Sequence, residues 1–331
     1  MNTIDTHLNS NLTSNLTSNL TSNLASADFQ ADIDFERRFG GVARLYGKSA
    51  LERFRTAHVC VVGVGGVGSW IVEALARTAI GKLTLIDLDN VAESNINRQI
   101  QALSSTIGQA KIDALKARID AINPFCEVTL VEDFIEPDNL AELIGGHGFD
   151  YVVDAIDSVK AKAALVAFCR DHALPLVMIG SAGGQVDPTK IAVRDLARTE
   201  QEPLLKKVRK ILRSHYGFAR GEKAKYHIDA VFSMEPLRYP EDDPTCSIDG
   251  DERHSVTGLN CAGFGSSMVV TATFGMIAAS HVLNQLAASV TQTVTHPVAP
   301  ANVQPVASAR EVETDDALPA ETVQAPGSLL S

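Results

Sequence analysis

Two cations, Arg98 and Lys111, and one carboxylate, Asp157, stand at three separated points of the chain, each beside a turn or the start of a helix. Brought together, such side chains could neutralise a polyphosphate and the charge that develops as one of its bonds breaks. The carboxylate could also hold magnesium, which bridges phosphate oxygens. A fourth feature makes the set coherent: Gly63-Val64-Gly65-Gly66-Val67-Gly68. Glycines let the backbone come close to phosphate, and a helix N-terminus behind them offers unpaired N–H groups and a partial positive charge. A redox dinucleotide would need the glycines, but neither the Arg–Lys pair nor a metal carboxylate. Singly, each residue has a plainer reading. A lone Arg or Lys at a helix start is usually a solvated charge, and Asp157 serves equally well as a helix cap.

The elements around the turn support the joint reading. The apolar run Val59–Val62 precedes it, a helical pattern with Trp70, Ile71, Ala74 and Leu75 on one side follows, and a second apolar run, Leu83–Ile86, ends at Asp87. That is strand, turn, helix, strand: a phosphate-binding βαβ unit. Gly63, Gly65 and Gly68 meet the dinucleotide spacing and Gly66 is an extra, so the turn alone does not say which nucleotide is bound. Asp87 can accept hydrogen bonds from a ribose. The polar loop 95–103 comes next, then a helix over 110–122 that ends at Asn123-Pro124. Strand Cys126–Val131, short helix Pro137–Ile144, strand Tyr151–Val153, helix Val159–His172 and strand Pro175–Ile179 continue the alternation. Strands alternating with helices predict an α/β fold, a Rossmann-like doubly wound sheet, mostly parallel, with a C-terminal extension.

At 331 residues with 45% hydrophobic content and mean hydropathy near zero, the chain has the make-up of a soluble globular protein. Its formal charge of −11 is concentrated at the ends: 1–34 and 291–331 each contribute −4, leaving −3 for 35–290. Asn11–Ser26 repeats a polar four-residue unit (NLTS three times, then NLAS), and the stretch after Val290 is rich in Pro, Ala, Val and acids; both tails read as disordered. Residues 35–290 would then form one domain, with 190–260 as a substrate-facing insertion. Five cysteines without a CxxC pair suit a reducing cytoplasm. Residues 261–283 carry no Asp, Glu, Lys or Arg and are long enough to span a membrane. A buried core helix gives the same signal and is the expectation, with membrane association as the minority alternative. Phe35–Thr56 reads as helical. Gln201–Arg213 reads as an amphipathic helix bearing Lys206, Lys207, Arg209, Lys210 and Arg213, either a solvated face or a docking surface for RNA.

In sequence order, GVGGVG, DLD, SNINRQ, GQAK and DAIDS resemble the adenylating superfamily of ThiF, MoeB and the ubiquitin-activating enzymes, over roughly residues 35–290. The resemblance implies that ATP and magnesium are bound by Gly63, Gly65, Gly66, Gly68, Asp87, Asp89, Ser94, Asn95, Asn97, Arg98, Gln99, Lys111, Asp157 and Ser158. Within that set Arg98, Lys111 and Asp157 would be catalytic and Asp157 the magnesium ligand. Such enzymes transfer AMP to a carboxylate and commonly act as homodimers. Further stretches, Arg38–Gly41 with Ala43–Gly47, Gly183-Gly184-Gln185 with Asp187-Pro188, Val231-Phe232-Ser233, and Cys261 with Gly263-Phe264-Gly265, are similar to the tRNA threonylcarbamoyladenosine dehydratase branch. That branch activates the threonyl carboxylate of the modified adenosine beside the anticodon with ATP, and the side chain then closes on itself with loss of water. The resemblance also admits a sulfurtransferase-type protein partner.

The alternative is adenylation of the C-terminal glycine of a ubiquitin-like sulfur carrier. Enzymes of that kind usually carry paired CxxC zinc ligands, which this chain lacks, so no zinc is expected. Relatives also place a second Arg three residues after the position of Arg38, reaching the neighbouring subunit's ATP. Gly41 stands there, which leaves that role to Arg44 or to neither. Cys261 is either a nucleophile or sulfur handler, as in some relatives, or a small residue packed near Gly263; adenylation and cyclisation need no thiol.

Overall fold

The computed structural model describes residues 33–221, 223–239 and 264–291. The four-residue repeat, the polar stretch Asp242–His254, Cys246, Cys261 and the tail beyond Thr291 lie outside the described residues. Where the sequence suggests one helical stretch, there are two helices, α1 (Phe35–Tyr46) and α2 (Lys48–Thr56). Gly47 makes the break at φ +91°, a conformation that glycine adopts without a Cβ penalty.

The chain then alternates as predicted: β1 (His58–Val62), α3 (Gly68–Arg77), β2 (Lys82–Ile86), α4 (Lys111–Ile122), β3 (Glu127–Val131), the single-turn α5 (Leu140–Leu143), β4 (Tyr151–Asp154), α6 (Val159–Asp171) and β5 (Leu176–Ile179). All pairings among these five strands are parallel. β1, β4 and β5 are buried almost throughout, which is why they read as continuous apolar runs.

Two strands are not legible in the sequence. β6 (Ile191–Asp195) and β7 (Asp229–Ser233) bracket α7 (Pro203–His215), and α8 (Met268–Thr291) follows. β7 pairs parallel with β5, and β6 returns antiparallel as the edge, giving the order β3-β2-β1-β4-β5-β7-β6. The stretch expected to be an insertion therefore supplies two strands of the main sheet.

Helices cover both faces. Phe54 of α2, Ile71 and Leu75 of α3, Leu115 of α4, and Phe274 and Val282 of α8 share one core with Val59, Val61 and Leu83. On the opposite face Leu165 and Val166 of α6 pack with Leu205, Val208 and Leu212 of α7. Each large side chain buried in this way is worth about 1.5–3 kcal/mol relative to exposure. α8 is long and apolar enough to cross a membrane by length and composition, and 50% of its most apolar window is buried inside the protein. It crosses α3 closely at Gly275, where a Cβ would lie 2.7 Å from the Trp70 Cβ. This is the core helix that the charge-free segment suggests.

Candidate nucleotide-binding site

β1 ends at Val62, and Gly63 turns the chain at φ +81° while its N–H donates to the Ile86 carbonyl at 2.9 Å. A Cβ on Gly63 would sit 2.9 Å from the Ala155 carbonyl oxygen, so the turn and the loop after β4 touch backbone to backbone. A Cβ on Gly68 would overlap the Gly63 carbonyl, so only glycine lets α3 begin this tightly against the turn. No side chain caps α3, and the N–H groups of Gly65 and Gly66 have no partner among the described residues. These are the free donors that an anion at a helix N-terminus uses.

Asp87 is 8% exposed. Its Oδ2 accepts the Val64 N–H at 2.8 Å and its Oδ1 accepts the Asp89 N–H at 2.9 Å. The carboxylate expected to face a ribose is thus first a clamp on the glycine turn, though each oxygen keeps a further lone pair. Burial pushes its pKa above the usual carboxylate range, while nearby Lys111 and the two N–H groups pull against that rise.

Lys111 opens α4, and its ammonium lies 2.6 Å from Asp89 Oδ2 and 3.8 Å from Asp87 Oδ1. The excursion between Asp89 and Lys111 is pinned at its neck: Asn90 and Ala110 pair, and the Lys111 N–H donates to the Asp89 carbonyl at 3.0 Å. That closure brings the helix-start lysine to the carboxyl end of β2.

The same excursion carries Ser94–Gln99. Asn95, 8% exposed, accepts the Ala92 N–H at 3.1 Å through Oδ1 and folds the loop into a 3₁₀ turn. Arg98 is held at its backbone, where the carbonyl accepts the Trp70 indole N–H at 2.9 Å and the Thr271 hydroxyl at 3.4 Å. Its aliphatic stem lies over Gly66, and its guanidinium rests on the Ser94 carbonyl (2.8 Å) and Asn97 Oδ1 (3.0 Å). Gln99 is 5% exposed beside Gly65. Its Oε1 accepts from Gln101, whose Nε2 also reaches the Val64 carbonyl. Gln101, absent from the sequence reading, ties this loop to the turn; nothing in the spacing marks it.

Asp157 is exposed in the loop after β4 and makes no hydrogen bond or ion pair among the described residues. Its reading as a cap is not realised: the N-cap of α6 is Ser158, and that side chain makes no capping bond. Beneath the loop lies a group the sequence reading missed. Lys162 and Asp154 are both fully buried, 2.9 Å apart, and Lys162 Nζ also donates to the carbonyls of Asp154 (3.2 Å) and Ile156 (2.8 Å). Burial raises the Asp154 pKa against the pull of Lys162, and likewise that of Glu202, which accepts the N–H groups of Ser181 and Leu205. A lysine inside the otherwise apolar run Ala161–Val166 is the signal that could have found it.

Other candidates are placed elsewhere. The Arg38 guanidinium donates to the carbonyls of Ala121 (3.0 Å) and Ile122 (2.6 Å), capping the C-terminus of α4 within its own chain. Arg44 is exposed on α1. On α7, Lys206, Lys207 and Lys210 are exposed, whereas Arg209 bonds the Thr199 hydroxyl and Arg213 donates to Tyr226 Oη at 2.6 Å. Cys60, Cys126 and Cys169 are buried, and desolvation raises all three thiols, those of Cys126 and Cys169 to about 12, the setting of inert core cysteines. Among the described residues no three His, Cys, Asp or Glu side chains group as a metal site. Magnesium needs only one or two protein carboxylates when phosphates and water complete its shell, and Asp157, exposed and without an intrachain partner, fits that need.

Known proteins resemble this chain in sequence and fold. The ThiF family profile matches residues 39–313. The chain is 52% identical over 255 residues to the tRNA threonylcarbamoyladenosine dehydratase of Escherichia coli, an alignment spanning 77% of this chain and 95% of that protein. It is 50% identical over 254 residues to the enzyme of the same name from Haemophilus influenzae, covering 76% of this chain and 94% of that one. The crystal structure of the E. coli dehydratase in complex with ATP superposes with a TM-score of 0.70 at 49% identity, covering 78% of this chain and 98% of that chain.

Proposed function

The chain belongs to the ThiF family, and on that premise we propose that it uses ATP to activate the carboxylate of a threonylcarbamoyl group on a tRNA adenosine and then closes it to the cyclic, dehydrated form. The observation that carries this reading is convergence. The Arg98 stem lies over Gly66, and Lys111 stands beside Asp87, which itself clamps the turn at Val64, so cations from two points after β2 border the glycine turn. The similarity to dehydratases along nearly their whole length, one of them solved with ATP, supports the substrate assignment.

The chemistry follows from that geometry. A carboxylate is a poor electrophile. A carboxylate oxygen attacks the α-phosphorus, pyrophosphate leaves, and the resulting acyl-adenylate has a good leaving group. The turn N–H groups hold phosphate oxygens, while Arg98 and Lys111 can exchange their present acceptors for phosphate and take up the charge that develops. Asp157 is the residue that would hold magnesium, which would supply further neutralisation of the phosphates. An internal nucleophile of the same side chain then attacks the activated carbonyl, and AMP leaves with the former carboxylate oxygen, so water is lost overall. That step is intramolecular and needs positioning more than acid–base help.

Residues 35–290 form the catalytic domain in this reading, and the α7 side of 190–260 faces RNA through Lys206, Lys207 and Lys210. Arg44 is the arginine available to a partner in a homodimer, since Arg38 is occupied on α4. A tRNA substrate assigns the enzyme to the cytoplasm. The test combines purified protein, ATP and tRNA bearing threonylcarbamoyladenosine. Pyrophosphate release that requires the modified tRNA, with a nucleoside lighter by one water in mass spectrometry, is expected. Release that requires a carrier protein instead would overturn the assignment.

A further inference from the structure

Three segments distant in sequence are stitched together above the carboxyl end of β5. The Gly184 N–H donates to the Gly265 carbonyl at 2.8 Å, and the Arg238 N–H donates to the Gly184 carbonyl at 2.8 Å. Glu235, 4% exposed, accepts the N–H groups of Val186 (3.0 Å) and Asp187 (2.8 Å) and lies 3.4 Å from the Arg238 guanidinium. This pedestal is joined to the loop that carries Arg98, because Asn97 Nδ2 donates to the Ser266 carbonyl at 3.2 Å and Asn97 is the neighbour of Arg98.

Two rings stand on the pedestal. Tyr239 and Phe264 have centroids 5.2 Å apart and planes inclined by 56°. Phe264 is seated against Gly183 and Gly184, and Gly184, at φ +72°, leaves no room for a Cβ. Tyr239, by contrast, is 69% exposed, and the neighbouring Arg238 guanidinium side chain is 66% exposed. A large ring held on a hydrogen-bonded base yet left in water gives little to the core. Its worth lies in what it can cover.

We propose that Tyr239 and Phe264, with Arg238 beside them, form a stacking seat for an unstacked base of the substrate RNA, adjacent to the nucleotide being activated. The inference rests on RNA being the substrate. Aromatic faces take splayed bases of single-stranded loops without regard to base identity, and a guanidinium beside them meets the phosphate backbone. The seat is tied to the Arg98 loop through Asn97 and Ser266, whereas the ribose-facing candidate Asp87 is tied to the glycine turn through Val64. It therefore serves the incoming carboxylate-bearing substrate rather than the adenosine of ATP.

The full-length chain and modified tRNA test this directly. Tyr239→Ala removes an exposed ring and leaves the pedestal intact, so folding is not at issue. The KM for tRNA should rise about tenfold, in line with measured base–aromatic stacking, while kcat and ATP affinity stay as in the wild type. Tyr239→Phe and Tyr239→Trp should restore the wild-type KM, since each supplies a ring. A Tyr239→Ala chain with unchanged KM for tRNA overturns the seat, as does a Tyr239→Phe chain as weak as the alanine variant or a matching loss of ATP affinity. A wild-type chain that consumes no ATP with this RNA overturns the functional reading and the seat with it. A wild-type chain active with this RNA, beside variants that miss the expected KM pattern, overturns the seat alone.

Discussion

Lys111 and Lys162 are both almost wholly out of water and both stand at the carboxyl end of the sheet, yet they are committed in opposite ways. Lys162 is fully buried, and its three N–H donors are met by the Asp154 carboxylate and by the carbonyls of Asp154 and Ile156. Nothing is left over for a ligand; its work is to hold the loop that carries Asp157. Lys111, 6% exposed, leans on Asp89, whose side chain is 55% exposed and, in the proposed function, gives up its place to a phosphate oxygen. Burial alone does not mark a functional cation. What distinguishes the two is whether the acceptors around the ammonium can be exchanged.

That contrast can be broken by experiment. The largest effect is expected at the exchangeable cations. Arg98→Met or Lys111→Met should cut pyrophosphate release by roughly 10²–10³-fold, the scale for removing one preorganised donor from developing charge. Arg98→Met, which alters contacts only with Gly66 and with Arg98's own loop, should leave the urea midpoint near wild type. Rates within about threefold of wild type would mean that these cations do not face the phosphates.

Lys162→Met sharpens the comparison from the other side. It should cost about 3–5 kcal/mol of stability in urea unfolding, because the Asp154 carboxylate is left buried and unpaired. Adding Asp154→Leu should recover much of the loss, since an apolar pair of similar volume is often as stable as the buried ion pair it replaces. A lone Lys162→Met that unfolds like wild type would show the pair to be dispensable.

The smallest effect extends the same distinction to α7. Lys206, Lys207 and Lys210 have no acceptor among the described residues, while Arg209 and Arg213 are turned to Thr199 and Tyr226. Changing the three lysines to Gln should weaken tRNA binding modestly, with ATP affinity unchanged. The salt slope of binding should fall by about one for each phosphate no longer neutralised. An unaltered salt slope would remove α7 from the RNA-binding surface.

Much of this could be read without coordinates. The glycine turn, the alternation of strands and helices from β1 to β5, and the order Arg98, Lys111, Asp157 are visible because each depends on neighbours a few residues away. β6 and β7 are hidden for a related reason. β6 is an edge strand with half-wet side chains, and β7 is five residues in a long polar stretch, so neither shows a clean period. Arg38 and Asp87 are visible as residues, but their partners are not. Arg38 sits on a helix end more than eighty residues away, and Asp87 closes on Val64 across the βαβ unit.

The sequence by itself determined the glycine turn, the parallel sheet that presents it and the family to which the chain belongs, because glycine freedom and apolar spacing act locally. Only the tertiary structure decided which charges are free to act. Lys162 is silenced by carbonyls from the loop it supports, Arg209 and Arg213 by a hydroxyl and a phenol, and Tyr239 is left exposed on a base built from three distant segments. Whether a donor is already satisfied depends on atoms that the fold brings in from elsewhere, and spacing along the chain does not contain them.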